Sequence, residues 1–306
     1  MKFVFSLVFR VNWFHAVSFL FLLWLGLIFW GLGTTAPSGW GTIVYSLLVA
    51  IFIICITNFA DMYSDRFEDR THRQSNPMAT GEFKIGTAKR IFIAENIIGV
   101  LLVVSLFWVT RNYPLILALV AGWVGGLIYS LPPFRLKARR IIGPLEFGLC
   151  CAIIPLVGWL VVKPVDTFIA AFALIFFVGG SGIGITTKLR RTAEDFSFGL
   201  ISGSNVFNLK TTDFGLRVKT AVILEAILVL GAICLIPVFG FLGTFNQVLV
   251  IFLVSFVLPL VLAGFALRGK DPISNLKKAQ ISFILICATL PAISIATFIS
   301  SIVHIG

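Results

Sequence analysis

Nine stretches of this chain stay apolar for about 20 residues each, and nothing else in the sequence restricts its fold as strongly. They cover residues 14–33, 39–60, 89–110, 114–131, 142–162, 166–187, 218–239, 245–267 and 280–303. At 1.5 Å of rise per residue, a helix of that length crosses a hydrocarbon layer of about 30 Å. In such a layer the backbone must satisfy its own hydrogen bonds, which leaves helices or a closed barrel. Barrel strands would be short and alternate apolar with polar residues, a pattern these continuous runs lack. The composition agrees: 58% of the 306 residues are hydrophobic and 12% charged, against roughly 45–50% and about 25% in soluble domains. The expected architecture is all-α and polytopic, with nine transmembrane helices in one membrane domain, 1–306. The first run has no small-residue cleavage site after it and reads as a retained anchor.

The charges orient the chain. Of 24 lysines and arginines, 22 fall before the first run or after the second, fourth, sixth and eighth. Only Arg111 and Lys163 fall on the other side. The positive-inside rule makes the crowded side cytoplasmic, with the N-terminus inside and the C-terminus outside, in a plasma or inner membrane. The net charge of +11 is thus a topology signal, and nucleic acid is not needed to explain it. The two longest loops, after the second and sixth runs, also hold most of the acids. Their separation by four helices suggests two related halves, 1–140 and 141–306.

The first of these loops reads ITNFADMYSDRFEDRTHRQSNPMATGE. Asp61, Asp65 and Asp69 recur every four residues, so on a helix they form one stripe, with Asn58 at its upper end. Like charges at this spacing oppose the helix, and a hard divalent cation would reverse that sign. Mg²⁺ is typically held by one or two carboxylates plus substrate phosphates, and Arg66, Arg70 and Arg73 are suited to the phosphate oxygens left over. The plainer alternative is a solvated helix whose acids pair with its own arginines. Continuation of the stripe from a membrane helix favours a functional role, because polar residues there are expensive.

This segment resembles the first aspartate-rich motif of UbiA-type prenyltransferases, commonly NDxxDxxxD followed by an RPxxxG turn. Asp61, Asp65 and Asp69 match the metal-site positions, with Asp61 where Asn is usual. Asn76 to Gly81 matches the turn, with Asn76 where Arg is usual. The Asp69-to-Pro77 spacing is that of chlorophyll-synthase-like members. A second segment, YSLPPFRLKAR, is similar to the family's YSxPPxRLK signature. It places Tyr129 and Ser130 at the mouth of a helix, with Arg135 and Lys137 beyond. Otherwise it would be only a proline-stiffened basic loop. Arg10 with Trp13 resembles the family's basic–aromatic entrance to the first helix, or serves as an interfacial anchor.

The resemblance implies helices around a central cavity, a Mg²⁺ cofactor, a polyprenyl diphosphate donor and a lipophilic acceptor, by default aromatic. It casts Asp61, Asp65, Asp69, Asp195, Tyr129 and Ser130 in the chemistry. It further implies a substrate-binding set of Asn58, Arg66, Arg70, Arg73, Lys188, Arg191, Arg135, Lys137 and Arg10. Metal and guanidinium charge would stabilise the departing diphosphate, and a water-poor cavity would shield the allylic cation.

The family's second acidic motif is where this chain departs. TTKLRRTAEDFSFGL keeps Asp195 and Gly199, but Lys188, or Arg191 in the other register, stands where an acid is expected. Glu194 could restore part of a metal site, although adjacent helix residues point about 100° apart. Either fewer ions bind, with Lys188, Arg190 or Arg191 clamping the diphosphate directly, or the reaction has diverged. A terpene cyclase of the same superfamily and a non-enzymatic transporter or binding subunit are the alternatives to a transferase. A plain basic turn at 188–195 is the remaining reading.

Three acids inside runs, Glu95, Glu146 and Glu225, each follow a cytoplasmic basic residue by five or six positions. They would line the acceptor cavity, act as a base, or pair towards the interface. Cys55, Cys150, Cys151, Cys234 and Cys287 lie in apolar runs without CxxC spacing and read as buried thiols.

Overall fold

The computed structural model describes residues 39–72, 76–139 and 142–166, with further positions between 169 and 184. Four helices fall there: α1 (Trp40–His72), α2 (Ile85–Thr110), α3 (Tyr113–Ser130) and α4 (Ile142–Leu160). Each is long and apolar enough to cross a membrane. The described positions from Ile169 to Gly184 are helical as well, and no strand occurs among the described residues. The expected runs 14–33, 218–239, 245–267 and 280–303 lie outside them.

Two compact units share the chain, and α4 contributes its two halves to different ones. The first unit contains the described residues up to Arg135 and then Ile153–Val165. At its centre is α1, half of whose spanning window is buried, against 17% for α2. Ile43, Leu47, Ala50, Ile53 and Ile56 recur at helical spacing and form one core with Val103, Leu106, Leu115, Leu119, Trp123, Val157 and Leu160. The opposite face of α2 exposes Ile93, Ile97, Val100, Leu101, Val104 and Trp108. In water that stripe would be an aggregation surface, and in a membrane it is the lipid-facing side.

Because lipid is as apolar as leucine, packing precision rather than burial holds such helices together. Two glycines provide it. A Cβ on Gly99 of α2 would stand 2.9 Å from both Ile56 Cδ1 and the Trp123 ring. One on Gly126 of α3 would stand 2.6 Å from Thr57 Cγ2. Polar pairs add specificity: Trp123 Nε1 donates to Asn96 Oδ1 at 3.2 Å, and the Tyr45 and Ser105 hydroxyls bond across α1 and α2.

The α2–α3 turn is short. Arg111 takes the left-handed conformation that ends α2, its N–H donating to the Phe107 carbonyl. Asn112 then caps α3 by accepting from the Leu115 N–H at 3.0 Å, and Pro114 occupies the first turn. The Asn112 amide donates to the Leu160 carbonyl at 2.6 Å, fastening the turn to the end of α4. Both basic residues assigned to the outer side lie over tryptophan: Arg111 over Trp108 at 4.2 Å and Lys163 over Trp159 at 5.2 Å.

The second unit contains the described residues 136–152 and those from Asp166 onward. Its 3₁₀ turn, Leu136–Ala138, carries Lys137. Within it, Gly148 of α4 lies so close to the Ser181 region that a Cβ would meet the Phe177 carbonyl oxygen at 2.4 Å.

Candidate active site

The acidic stripe is helical throughout, because α1 continues past its apolar part to His72. Asp65 and Asp69 are 2% and 7% exposed, which removes the solvated-helix reading for this pair. Burying carboxylates is costly unless charge and hydrogen bonds compensate, so what surrounds them is informative.

Each aspartate meets a different segment of the first unit. Ser130, 1% exposed at the end of α3, donates from its hydroxyl to Asp61 Oδ1 at 3.1 Å. The contact follows from the glycine below it, since Gly126 and Thr57 sit one turn before Ser130 and Asp61. One turn further along α1, the Arg135 guanidinium lies 3.6 Å from Asp65 Oδ1. Arg135 reaches it from the loop after α3 with a positive φ of 37°, its N–H bonded to the Leu131 carbonyl. At the next turn the Asn76 amide donates to Asp69 Oδ2 at 2.9 Å.

The Asn76–Gly81 turn is built to hold that contact. The Ala79 and Thr80 N–H groups donate to the Asn76 carbonyl, and the Phe83 N–H donates to that of Pro77. Gly81 supplies a φ of 80°. Met78 and Phe83 are buried against Phe59 of α1, with Phe92 of α2 stacked on Phe59 at 6.2 Å. The sequence reading aligned Asn76 with a motif but gave it no role. The signal lay in a polar residue preceding a Pro–Met pair, and its partner is a carbonyl fourteen residues earlier.

Other expected residues are placed differently. Asn58 turns its amide back to the Ile54 carbonyl at 3.1 Å. The Arg66 guanidinium lies over the Tyr63 and Phe67 rings at 4.4 and 4.3 Å and bonds the Tyr63 carbonyl. Tyr129 is half-buried beside Ser130. Lys137 falls in the second unit. The Arg70 side chain lies outside the described residues, as do Arg10, Arg73, Lys188, Arg191, Glu194 and Asp195. Among the membrane-embedded acids, Glu146 Oε1 accepts from the Cys150 thiol at 3.3 Å. The Oε2 atoms of Glu95 and Glu146 are enclosed without a hydrogen-bond partner. Glu225 lies outside the described residues.

The donor set fits a hard cation. The aspartates offer only oxygen, but about 6 Å separates successive turns of a stripe, too far for all three to grip one ion. Accordingly, among the described residues no three His, Cys, Asp or Glu side chains converge on one metal position. Zinc would want such a cage, whereas Mg²⁺ takes one or two carboxylates and fills its shell with water and phosphate oxygens.

Helices that face lipid on one side and enclose buried aspartates at one end define an integral-membrane protein of the helical class. The chain belongs to the UbiA prenyltransferase family, which matches residues 19–287. It is a prenyltransferase by that membership. No curated protein matches it. Its fold is that of a UbiA homologue from Archaeoglobus fulgidus solved with DMAPP and Mg²⁺ (TM-score 0.64, 17% identity, 90% of this chain and 96% of that one). The same homologue with GPP and Mg²⁺ gives a TM-score of 0.63 at 18% identity, covering 90% and 97%. A structure of digeranylgeranylglyceryl phosphate synthase matches with a TM-score of 0.68 at 16% identity, covering 98% of this chain and 100% of that one.

Proposed function

We propose that the protein transfers a polyprenyl group from an allylic prenyl diphosphate to a lipophilic, aromatic acceptor in the membrane, with Mg²⁺ as cofactor. The observation that carries this reading is the burial of Asp65 and Asp69 at 2% and 7% exposure. Buried acids at one end of a membrane bundle suit a site that receives a cation and an anionic headgroup together. The family membership and the relatives solved with prenyl diphosphates and Mg²⁺ support the same donor.

Bound Mg²⁺ would supply positive charge against the departing diphosphate. Asp61, Asp65 and Asp69 would hold it, one or two carboxylates to an ion, with water and phosphate oxygens completing the shell. Arg135, beside Asp65, is positioned to take an oxygen of the same diphosphate as its negative charge grows. Ser130 keeps the Asp61 carboxylate in one orientation, and Tyr129, its half-buried neighbour, is the aromatic residue assigned to the same end. Breaking the allylic C–O bond leaves the electron pair on diphosphate. The acceptor carbon then bonds the allylic carbon and loses its proton. Nine helices around a cavity in one membrane domain, with this end cytoplasmic and the N-terminus inside, complete the proposal.

The test is turnover of the purified protein with Mg²⁺, prenyl diphosphates of several lengths and a panel of aromatic acceptors. A prenylated acceptor formed with stoichiometric diphosphate, abolished by EDTA and restored by Mg²⁺, is the expected result. Diphosphate released without acceptor, with a cyclic hydrocarbon or alcohol as product, would replace transfer with cyclisation. Intact substrate under every combination would overturn the reading.

A further inference from the structure

We propose that Asn76 is a positioning residue that fixes the Asp69 carboxylate for a divalent cation while leaving its negative charge in place. The inference rests on the metal reading of the aspartate site given above. Asn76 is 3% exposed, and its side chain is used at both ends. Nδ2 donates to Asp69 Oδ2 at 2.9 Å and to the Met62 carbonyl at 3.0 Å, and Oδ1 accepts from the Met78 N–H at 3.0 Å. Turning the amide over would set its oxygen against two other oxygens and its NH₂ against an N–H. Only one orientation therefore satisfies the network.

The consequence is geometric. Met62 and Asp69 lie about two helical turns apart on α1, and Asn76 bridges the backbone of one to the side chain of the other. The carboxylate is thus referenced to a rigid part of the helix rather than left to its own rotamers. The bridge is held from outside by the 76–83 turn, with Met78 and Phe83 buried against Phe59. There is also an electrostatic consequence. A carboxamide gives a carboxylate a hydrogen bond without adding a charge of its own. A hard cation is served by an oxygen held in place, and partners that orient a ligand in this way commonly change metal affinity 10–100-fold.

The test is Mn²⁺ binding by electron paramagnetic resonance, without substrate, on the full chain and its variants in lipid nanodiscs. The Mg²⁺ dependence of diphosphate release accompanies it. Asn76→Ala is expected to weaken Mn²⁺ binding by about 10–100-fold and to raise the half-maximal Mg²⁺ concentration in parallel. The prenyl diphosphate KM at saturating Mg²⁺ should change less than about threefold, since the metal then refills the site. If the Ala variant does not fold, Asn76→Gln, which keeps the amide but displaces it, gives the same reading. Variants that melt earlier yet bind Mn²⁺ as tightly as the wild type would overturn the role of Asn76 alone. An unsubstituted protein that binds no Mn²⁺ and turns over without divalent cation would overturn the metal reading, and this inference with it.

Discussion

Arg111 and Arg135 flank α3 at its two ends, and both hold left-handed backbone, with φ of 51° and 37°. That conformation costs a residue bearing Cβ about 1–2 kcal/mol, so glycine is the usual occupant. Their surroundings differ. Arg111 ends α2 in the ordinary manner of a helix C-terminus, and its guanidinium rests over the exposed Trp108 ring. Arg135 ends no helix, and its guanidinium lies against a carboxylate that is 3% exposed. One left-handed arginine is a membrane-interface anchor that happens to close a turn. The other bends its backbone to bring a charge to a buried acid, and strain of that kind persists where the surroundings over-determine it.

Substitutions at both ends of α3 can break that contrast. The largest effect is expected at the acid itself. Asp65→Ala should lower prenyl-diphosphate turnover about 10³-fold with the protein still folded, measured as diphosphate release. Near-normal turnover would remove Asp65 from the site. Arg135→Gly relieves the backbone and removes the charge, so turnover should fall about 10²-fold although the local conformation becomes easier. A variant as active as the wild type would show that the strain serves no chemical end. Gly126→Ala should cost about 1–3 kcal/mol of stability and roughly tenfold in turnover by pushing α3 off Thr57, and Thr57→Gly in the same chain should recover most of both. Failure of that pair to recover would mean that the glycine matters for some other reason. Ser130→Ala leaves Asp61 one hydrogen bond short and should slow turnover a few-fold, about 1 kcal/mol of transition-state energy. Arg111→Gly should be nearly silent: the lost cation–π contact, about 0.5–1 kcal/mol, offsets the relieved backbone, and turnover should stay within about twofold. A large loss there would make the two arginines equivalent after all.

These residues also show what the sequence could and could not convey. The spans of α2, α3 and α4 were legible to within a few residues, because lipid imposes a length on every crossing segment. The aspartate stripe was legible through its period of four, and the structure adds that the same helix carries it out to His72. Arg66 was expected to face phosphate on the strength of its position among acids. In the structure its guanidinium lies over the Tyr63 and Phe67 rings, a placement that its position in the sequence did not convey. Asn76 and Arg135 act through chain reversals that carry them back to α1, and no local pattern encodes where a returning loop will land. The meeting of Gly126 with Thr57 was equally hidden, because each residue is unremarked in its own helix.

That last contact has a consequence for how such a chain can vary. Residues 57 and 126 share a space that holds no additional atom, and they set the distance at which Ser130 meets Asp61 one turn later. Volume gained at one position has to be given up at the other, so the two should drift as a pair through the descendants of this sequence. A site otherwise made of charges would then carry, a turn beneath it, a constraint of pure size that no inspection of its polar residues would disclose.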